Sequence, residues 1–206
     1  MNIHSDLSKI SQINDHLYLS GIFPLDENYE LIRKHNIKYI LSCMDRAQVS
    51  EIHNKIMVDN PDLTIMYLPY NDEINQNLWN ANKSQVNIVR YTCSIQEYDK
   101  LTKLINFYNN KPMIEVGYHF INNAINSEKN ILVHCMAGVS RSVSLVTYYL
   151  MKRYHISFDK AAEYIKQKRS VANPNDSFKN QLLMYQNKRD QFTETDAKKI
   201  ITTIKK

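Results

Sequence analysis

The sequence predicts one α/β domain, a central twisted mixed sheet flanked by helices. Two observations carry this reading. Short apolar runs alternate with segments of helical period along most of the chain. The chain's 206 residues, 43% of them hydrophobic with only three glycines and five prolines, suit a single filled core and exclude a linker-rich or fibrous protein.

Taken in order, strands are expected at His16 to Ser20, Lys38 to Ser42, Thr64 to Pro69 and Ile131 to His134, where the apolar runs are short. Helices are expected at Asp26 to His35, Met113 to Ser127, Ser142 to Tyr154, Ser157 to Lys168 and Ser177 to Asp190. Ser157 ahead of Phe158 and Asp159 is a helix-start signal, and the turn-rich Asn173-Pro174-Asn175-Asp176 precedes the last helix. Residues 80–111 break the alternation. There Tyr98, Leu101, Leu104, Ile105 and Tyr108 have the spacing of one amphipathic helix between Asn-rich flanks, so the stretch reads as an insertion, with Trp79 anchoring it to the core. Residues 191–206 read as a basic tail.

A formal charge of +5 and a pI near 8.9 favour anionic partners. The basic residues are dispersed, however, so nucleic acid is not the expected partner. Cysteines 43, 93 and 135 are too few and too far apart for a disulfide framework or a Cys-x-x-Cys site. The seven histidines show no ligand spacing, so no metal is expected. No other cofactor is expected either. Residues 1–10 lack the apolar centre of a signal peptide, and no later run approaches the roughly 20 apolar residues that cross a bilayer. The expectation is a soluble chain without membrane contact, in a reducing cytoplasm or nucleus.

The chemistry concentrates in Ile131-Leu132-Val133-His134-Cys135-Met136-Ala137-Gly138-Val139-Ser140-Arg141-Ser142, which reads strand, tight loop, helix. Such a loop gathers backbone N–H groups around one point at the positive end of a helix and so binds an anion. Gly138 permits the sharp turn. A thiol in such surroundings is shifted towards the nucleophilic thiolate, which makes Cys135 the candidate nucleophile. Arg141 can curl over the same concavity and hold two phosphate oxygens with its planar fork. His134 can bond the loop and fix Cys135, and Ser142 can donate to the sulfur when it must leave.

The run from His134 to Ser142 matches the signature of the cysteine-based protein tyrosine phosphatases, and its Ala-Gly-x-Ser-Arg-Ser form resembles the dual-specificity branch. Resemblance continues in Tyr18-Leu19-Ser20-Gly21, in Ala161 to Arg169, and in Asn173-Pro174-Asn175 with Phe178, Gln181 and Leu182. It implies a protein tyrosine phosphatase-like fold and phosphorylated protein substrates. Phosphotyrosine and phosphoserine or phosphothreonine would be hydrolysed through a cysteinyl-phosphate without metal. The backbone of Met136, Ala137, Gly138, Val139, Ser140 and Arg141 would bind the phosphate. Family position points to Asp72, in Leu68-Pro69-Tyr70-Asn71-Asp72, as the general acid, whose loss costs roughly 10²- to 10⁴-fold in rate. Asp72 lies further ahead of Cys135 than the usual interval, and the insertion accounts for the excess; Asp99 is nearer that interval but lacks the strand-Pro context. Asn175 resembles a position that supports the phosphate loop, and Cys43 one that forms a reversible disulfide with the nucleophile in some relatives.

Two rivals stand beside this reading. RNA 5'-triphosphatases on this scaffold carry His before the loop Gly and Asn before the Arg, where this chain has Ala137 and Ser140. Non-catalytic phosphoprotein-binding relatives lose the Cys or the Arg, and both are present here.

Overall fold

Ile131, Leu132 and Val133 are apolar on successive positions, so a strand made of them needs cover on both faces. In the computed structural model, which describes residues 7–27, 30–80, 86–91, 99, 103–104, 106–108 and 111–204, this strand runs through the middle of a six-stranded mixed sheet. The strands are β1 (Ser11–Gln12), β2 (Leu17–Ser20), β3 (Ile37–Ser42), β4 (Thr64–Tyr67), β5 (Asn87–Arg90) and β6 (Asn130–His134), in the spatial order β1-β2-β6-β3-β4-β5. The four inner strands are parallel, and β1 and β5 close the edges antiparallel. In register, Ser20 and Ser42 flank His134. Tyr67 pairs with Ser42 in turn, so all four parallel strands end at one rim, where Cys135 follows.

The described helices are α1 (Phe23–Glu27), α2 (Leu31–Lys34), α3 (Arg46–Asp59), α4 (Met113–Asn126), α5 (Arg141–Tyr154), α6 (Phe158–Lys168) and α7 (Asp176–Ile204). Helix α5 is buried continuously from Ser142 to Met151, wedged among α4, α6, α7 and β6. Its hydroxyls survive burial by bonding back one turn, Ser144 Oγ to Ser140 O and Thr147 Oγ1 to Val143 O, both at 2.8 Å. The helix stops at His155, which takes a left-handed φ of 53°. Helix α6 starts as its sequence predicts: Ser157 Oγ accepts from the Lys160 N–H, Asp159 sits in the first turn, and Lys166 and Lys168 sit in the last.

Four expectations are corrected. The predicted helix from Asp26 to His35 is instead α1 and α2, with Glu30 in a turn between them and residues 28–29 undescribed. The strand predicted to reach Pro69 ends at Tyr67, because proline has no N–H to give the ladder. Within 80–111, expected to hold one helix, residues 87–90 form edge strand β5, whose Ile88 is buried beside Met66 of β4. Leu104 and Tyr108 are helical, whereas Tyr98, Leu101 and Ile105 lie outside the described residues. Helix α3 and strand β1 were not anticipated. The last helix runs beyond the predicted Asp190 to Ile204. No described helix is long and apolar enough to cross a membrane.

Candidate active site

The loop from Cys135 to Ser140 joins the buried end of β6 to the N-terminus of α5. Gly138 has φ +66°, and a Cβ there would lie 2.4 Å from the carbonyl carbon and oxygen of Ser20. Gly21 is its counterpart across the contact: a Cβ at Gly21 would lie 2.8 Å from the Met136 oxygen. Two bare backbones thus pack directly, tied by the Ile22 N–H to Met136 O bond at 2.9 Å. This packing gives the Tyr18-Leu19-Ser20-Gly21 segment its structural purpose.

Cys135 is buried at the floor of the loop. Its Sγ accepts from the Gly138 N–H at 3.3 Å and from Ser142 Oγ at 3.2 Å. Ser142 reaches the sulfur from the first turn of α5, as its position in the sequence suggests. Arg141 aims its guanidinium between the Tyr70 carbonyl, at 3.3 Å from Nη1, and Asp72, whose Oδ2 is 3.7 Å from Nε. Asp72 Oδ1 accepts from Ser140 Oγ at 2.6 Å and from Asn175 Nδ2 at 2.9 Å. The structure therefore brings Cys135, Arg141, Asp72, Ser140, Ser142 and Asn175 to one place. Asp99 is described only as an exposed helical residue.

The chain closes the Asp72 loop before the insertion begins, so the extra length does not displace it. The Tyr70 hydroxyl donates to Leu78 O, the Asn71 N–H to Gln76 Oε1, and Gln181 of α7 holds both Gln76 O and the Leu78 N–H. Trp79 O and Leu78 O then accept from Met113 and Ile114, bringing the two ends of 80–111 together. The Trp79 ring stands edge-on to Tyr148 at 5.9 Å.

Asn175 does more than support the loop. Its N–H donates to Ser140 Oγ, its Oδ1 caps α7 at the Phe178 N–H, and its Nδ2 holds Asp72. Cys43 follows β3, its N–H bonded to His134 O at 2.8 Å. Its thiol is buried, and burial pushes its pKa well up, with Cys135 nearby adding to the effect. Cys93 lies outside the described residues.

Arg169, His53 and Tyr67, to which the sequence gives no role, complete the site. Arg169, fully buried, donates to Gly138 O at 2.7 Å, Ala137 O at 3.0 Å and Lys9 O at 3.1 Å. In sequence it is one more basic residue, just past the end of a helix whose last turn already carries Lys166 and Lys168. His134 is buried beside His53 of α3, which in turn meets Tyr67.

Burial pulls the His134 pKa down to about 4, Arg141 adding to the fall while the Cys135 carbonyl opposes it; burial likewise holds His53 well below the usual range, His134 adding. Both folded values lie under the ordinary 6.5, so between about 4 and 6.5 the unfolded chain binds protons that the folded chain refuses. Stability should be full above pH 6.5 and fall as the solution is acidified. His134 alone should cost about 2 kcal/mol by pH 5. Urea unfolding at pH 7.5 and pH 5 checks this, and equal midpoints would contradict it.

A strand-loop-helix cradle with cysteine at its floor and arginine at its lip defines the class of cysteine-based protein tyrosine phosphatases. Residues 25–188 match the family described as "Dual specificity phosphatase, catalytic domain". A protein of Acanthamoeba polyphaga mimivirus named as a tyrosine-protein phosphatase is 56% identical over 200 residues, 97% of this chain and 94% of the relative. Human protein phosphatase Slingshot homolog 1 is 43% identical over 94 residues, 45% of this chain but only 8% of that protein. Among solved structures, the Cydia pomonella PTP-2 phosphatase superposes with a TM-score of 0.60 at 21% identity, covering 85% of this chain and 89% of that one, a likeness of fold. The chain belongs to the dual-specificity phosphatase family, and is an enzyme of that class.

Proposed function

We propose that this chain hydrolyses phosphotyrosine and phosphoserine or phosphothreonine in proteins by transferring the phosphoryl group to Cys135 and then to water. The observation that carries the reading is the Cys135 sulfur at the loop floor with two hydrogens aimed at it, from Gly138 N–H and Ser142 O–H. Family membership supports the substrate class.

In the first step Sγ attacks phosphorus, the phosphorus–oxygen ester bond breaks, and Asp72 gives its proton to the departing side-chain oxygen. Two donors already occupy Asp72 Oδ1, so the transferable proton belongs on Oδ2. The N–H groups of 136–141 and the Arg141 fork hold the three remaining oxygens, whose charge they balance in the transition state. In the second step water attacks phosphorus, Asp72 takes the water's proton, and the sulfur departs as a thiolate with Ser142 donating to it.

Two experiments test this. In EDTA and reductant, phosphotyrosine and phosphothreonine peptides should both be hydrolysed; turnover only of triphosphate-ended RNA, or phosphopeptide binding without turnover, would overturn the reading. Asp72→Asn should lower kcat on those peptides by about 10²-fold or more, and distinctly less on an aryl phosphate whose phenol is acidic enough to leave unprotonated. An equal loss on both substrates would remove Asp72 from the acid role.

A further inference from the structure

A buried chain of three side chains ends on the nucleophile's own peptide group. Tyr67, the last residue of β4, lies with its hydroxyl 2.9 Å from His53 Nδ1; His53 Nε2 lies 3.1 Å from His134 Nε2; and His134 Nδ1 lies 3.3 Å from the carbonyl oxygen of Cys135. All three side chains are at most 1% exposed, so water cannot substitute for a missing partner.

The direction of every bond follows from the last one. A carbonyl only accepts, so His134 carries its hydrogen on Nδ1. The ring is neutral at pH 7, its pKa being about 4, and so Nε2 is a bare lone pair that must accept from His53. His53, also neutral, then holds its one hydrogen on Nε2 and presents Nδ1 as an acceptor. The Tyr67 hydroxyl supplies the donor, and burial keeps its proton in place by raising its pKa to about 12. The reverse arrangement would set the His134 Nδ1 lone pair against the carbonyl lone pairs.

We propose that Tyr67 and His53 are positioning residues for the phosphatase reaction: they lock His134 in the Nδ1–H tautomer and through it fix the peptide group joining Cys135 to Met136. In a trans peptide the carbonyl and the following N–H point opposite ways, so holding the carbonyl sets the direction of the Met136 N–H, the first donor of the phosphate loop. Helix α3 thereby acts on the loop through His53.

The inference rests on the proposed phosphatase reading for its kinetic part only. Imidazole nitrogen NMR of the wild-type chain at pH 7 should find His134 as the Nδ1–H tautomer and His53 as the Nε2–H tautomer. This reading is independent of turnover, so an inactive chain would fail the proposed function and leave the relay standing. Tyr67→Phe, which removes one buried oxygen, should shift both histidines towards mixed tautomers and lower kcat roughly three- to tenfold with KM changed less than twofold. His53→Gln, whose amide can still donate to His134, should retain more activity than His53→Met. Either His134 found as the Nε2–H tautomer, or Tyr67→Phe with wild-type tautomers and wild-type kcat, overturns the proposal, and neither result depends on His53→Met folding.

Discussion

Cys135→Ser should lower kcat on a phosphotyrosine peptide by about 10⁴-fold or more, the scale on which removing a covalent nucleophile acts. The substitution changes one atom in a buried position, and both donors aimed at it remain, Gly138 N–H and Ser142 O–H. What changes is chemistry. A thiol gives up its proton within reach of neutral pH and a serine hydroxyl does not, so the oxygen stays protonated and poorly nucleophilic. Arg141 and the loop N–H groups are untouched, and phosphopeptide affinity should stay within a few-fold of wild type. The paired measurement is steady-state turnover beside equilibrium binding. Retention of a tenth of the activity would point to another nucleophile, and loss of binding together with turnover would mean that the loop had collapsed.

Much of this site is legible in the sequence because its parts are contiguous. Cys135, Gly138, Arg141 and Ser142 sit on one strand-loop-helix, where spacing alone fixes geometry. Asp72 and Asn175 come from elsewhere in the chain and needed the family resemblance; no local pattern says that they bond to each other and to Ser140. Helix α3 escaped notice because its inward residues, Val49, His53, Ile56 and Met57, include a histidine, which breaks the apolar stripe that marks a helix. The histidine that hides the helix is the one that reaches the site. Strand β5 falls in the stretch read as an Asn-rich flank, because its Asn87 and Arg90 ends and lone buried Ile88 give too little alternation to declare an edge strand.

Arg169 shows the same limit, and it carries the largest expected effect on stability. Its guanidinium is fully buried and donates to the carbonyls of Ala137, Gly138 and Lys9, with Ser11 Oγ a further contact at 3.4 Å. Arg169→Met keeps much of the apolar stem but strips the donors from three backbone carbonyls. The cost should be roughly 3–5 kcal/mol, since each buried acceptor left unpaired costs about 1–3 kcal/mol and the loop can relax to recover part. For a chain of this size that is a fall in melting temperature on the order of 10 °C. Activity should fall too, and in a particular way. Arg169 holds the Ala137 and Gly138 carbonyls towards itself, so the N–H groups across those peptides point the other way; without it the loop loses the orientation that phosphate requires, and KM should rise as well as kcat fall. Arg169→Lys tests the geometry separately from the charge. A single ammonium cannot reproduce a planar fork serving several carbonyls, so lysine should recover less than half of the lost stability. Full recovery by lysine would show that charge alone is needed, and an unchanged melting temperature in Arg169→Met would show that the carbonyls find other donors. Added orthovanadate, an anion shaped like phosphate, should raise the melting temperature of wild type more than that of Arg169→Met, because only the wild-type loop meets the anion with its donors already aimed.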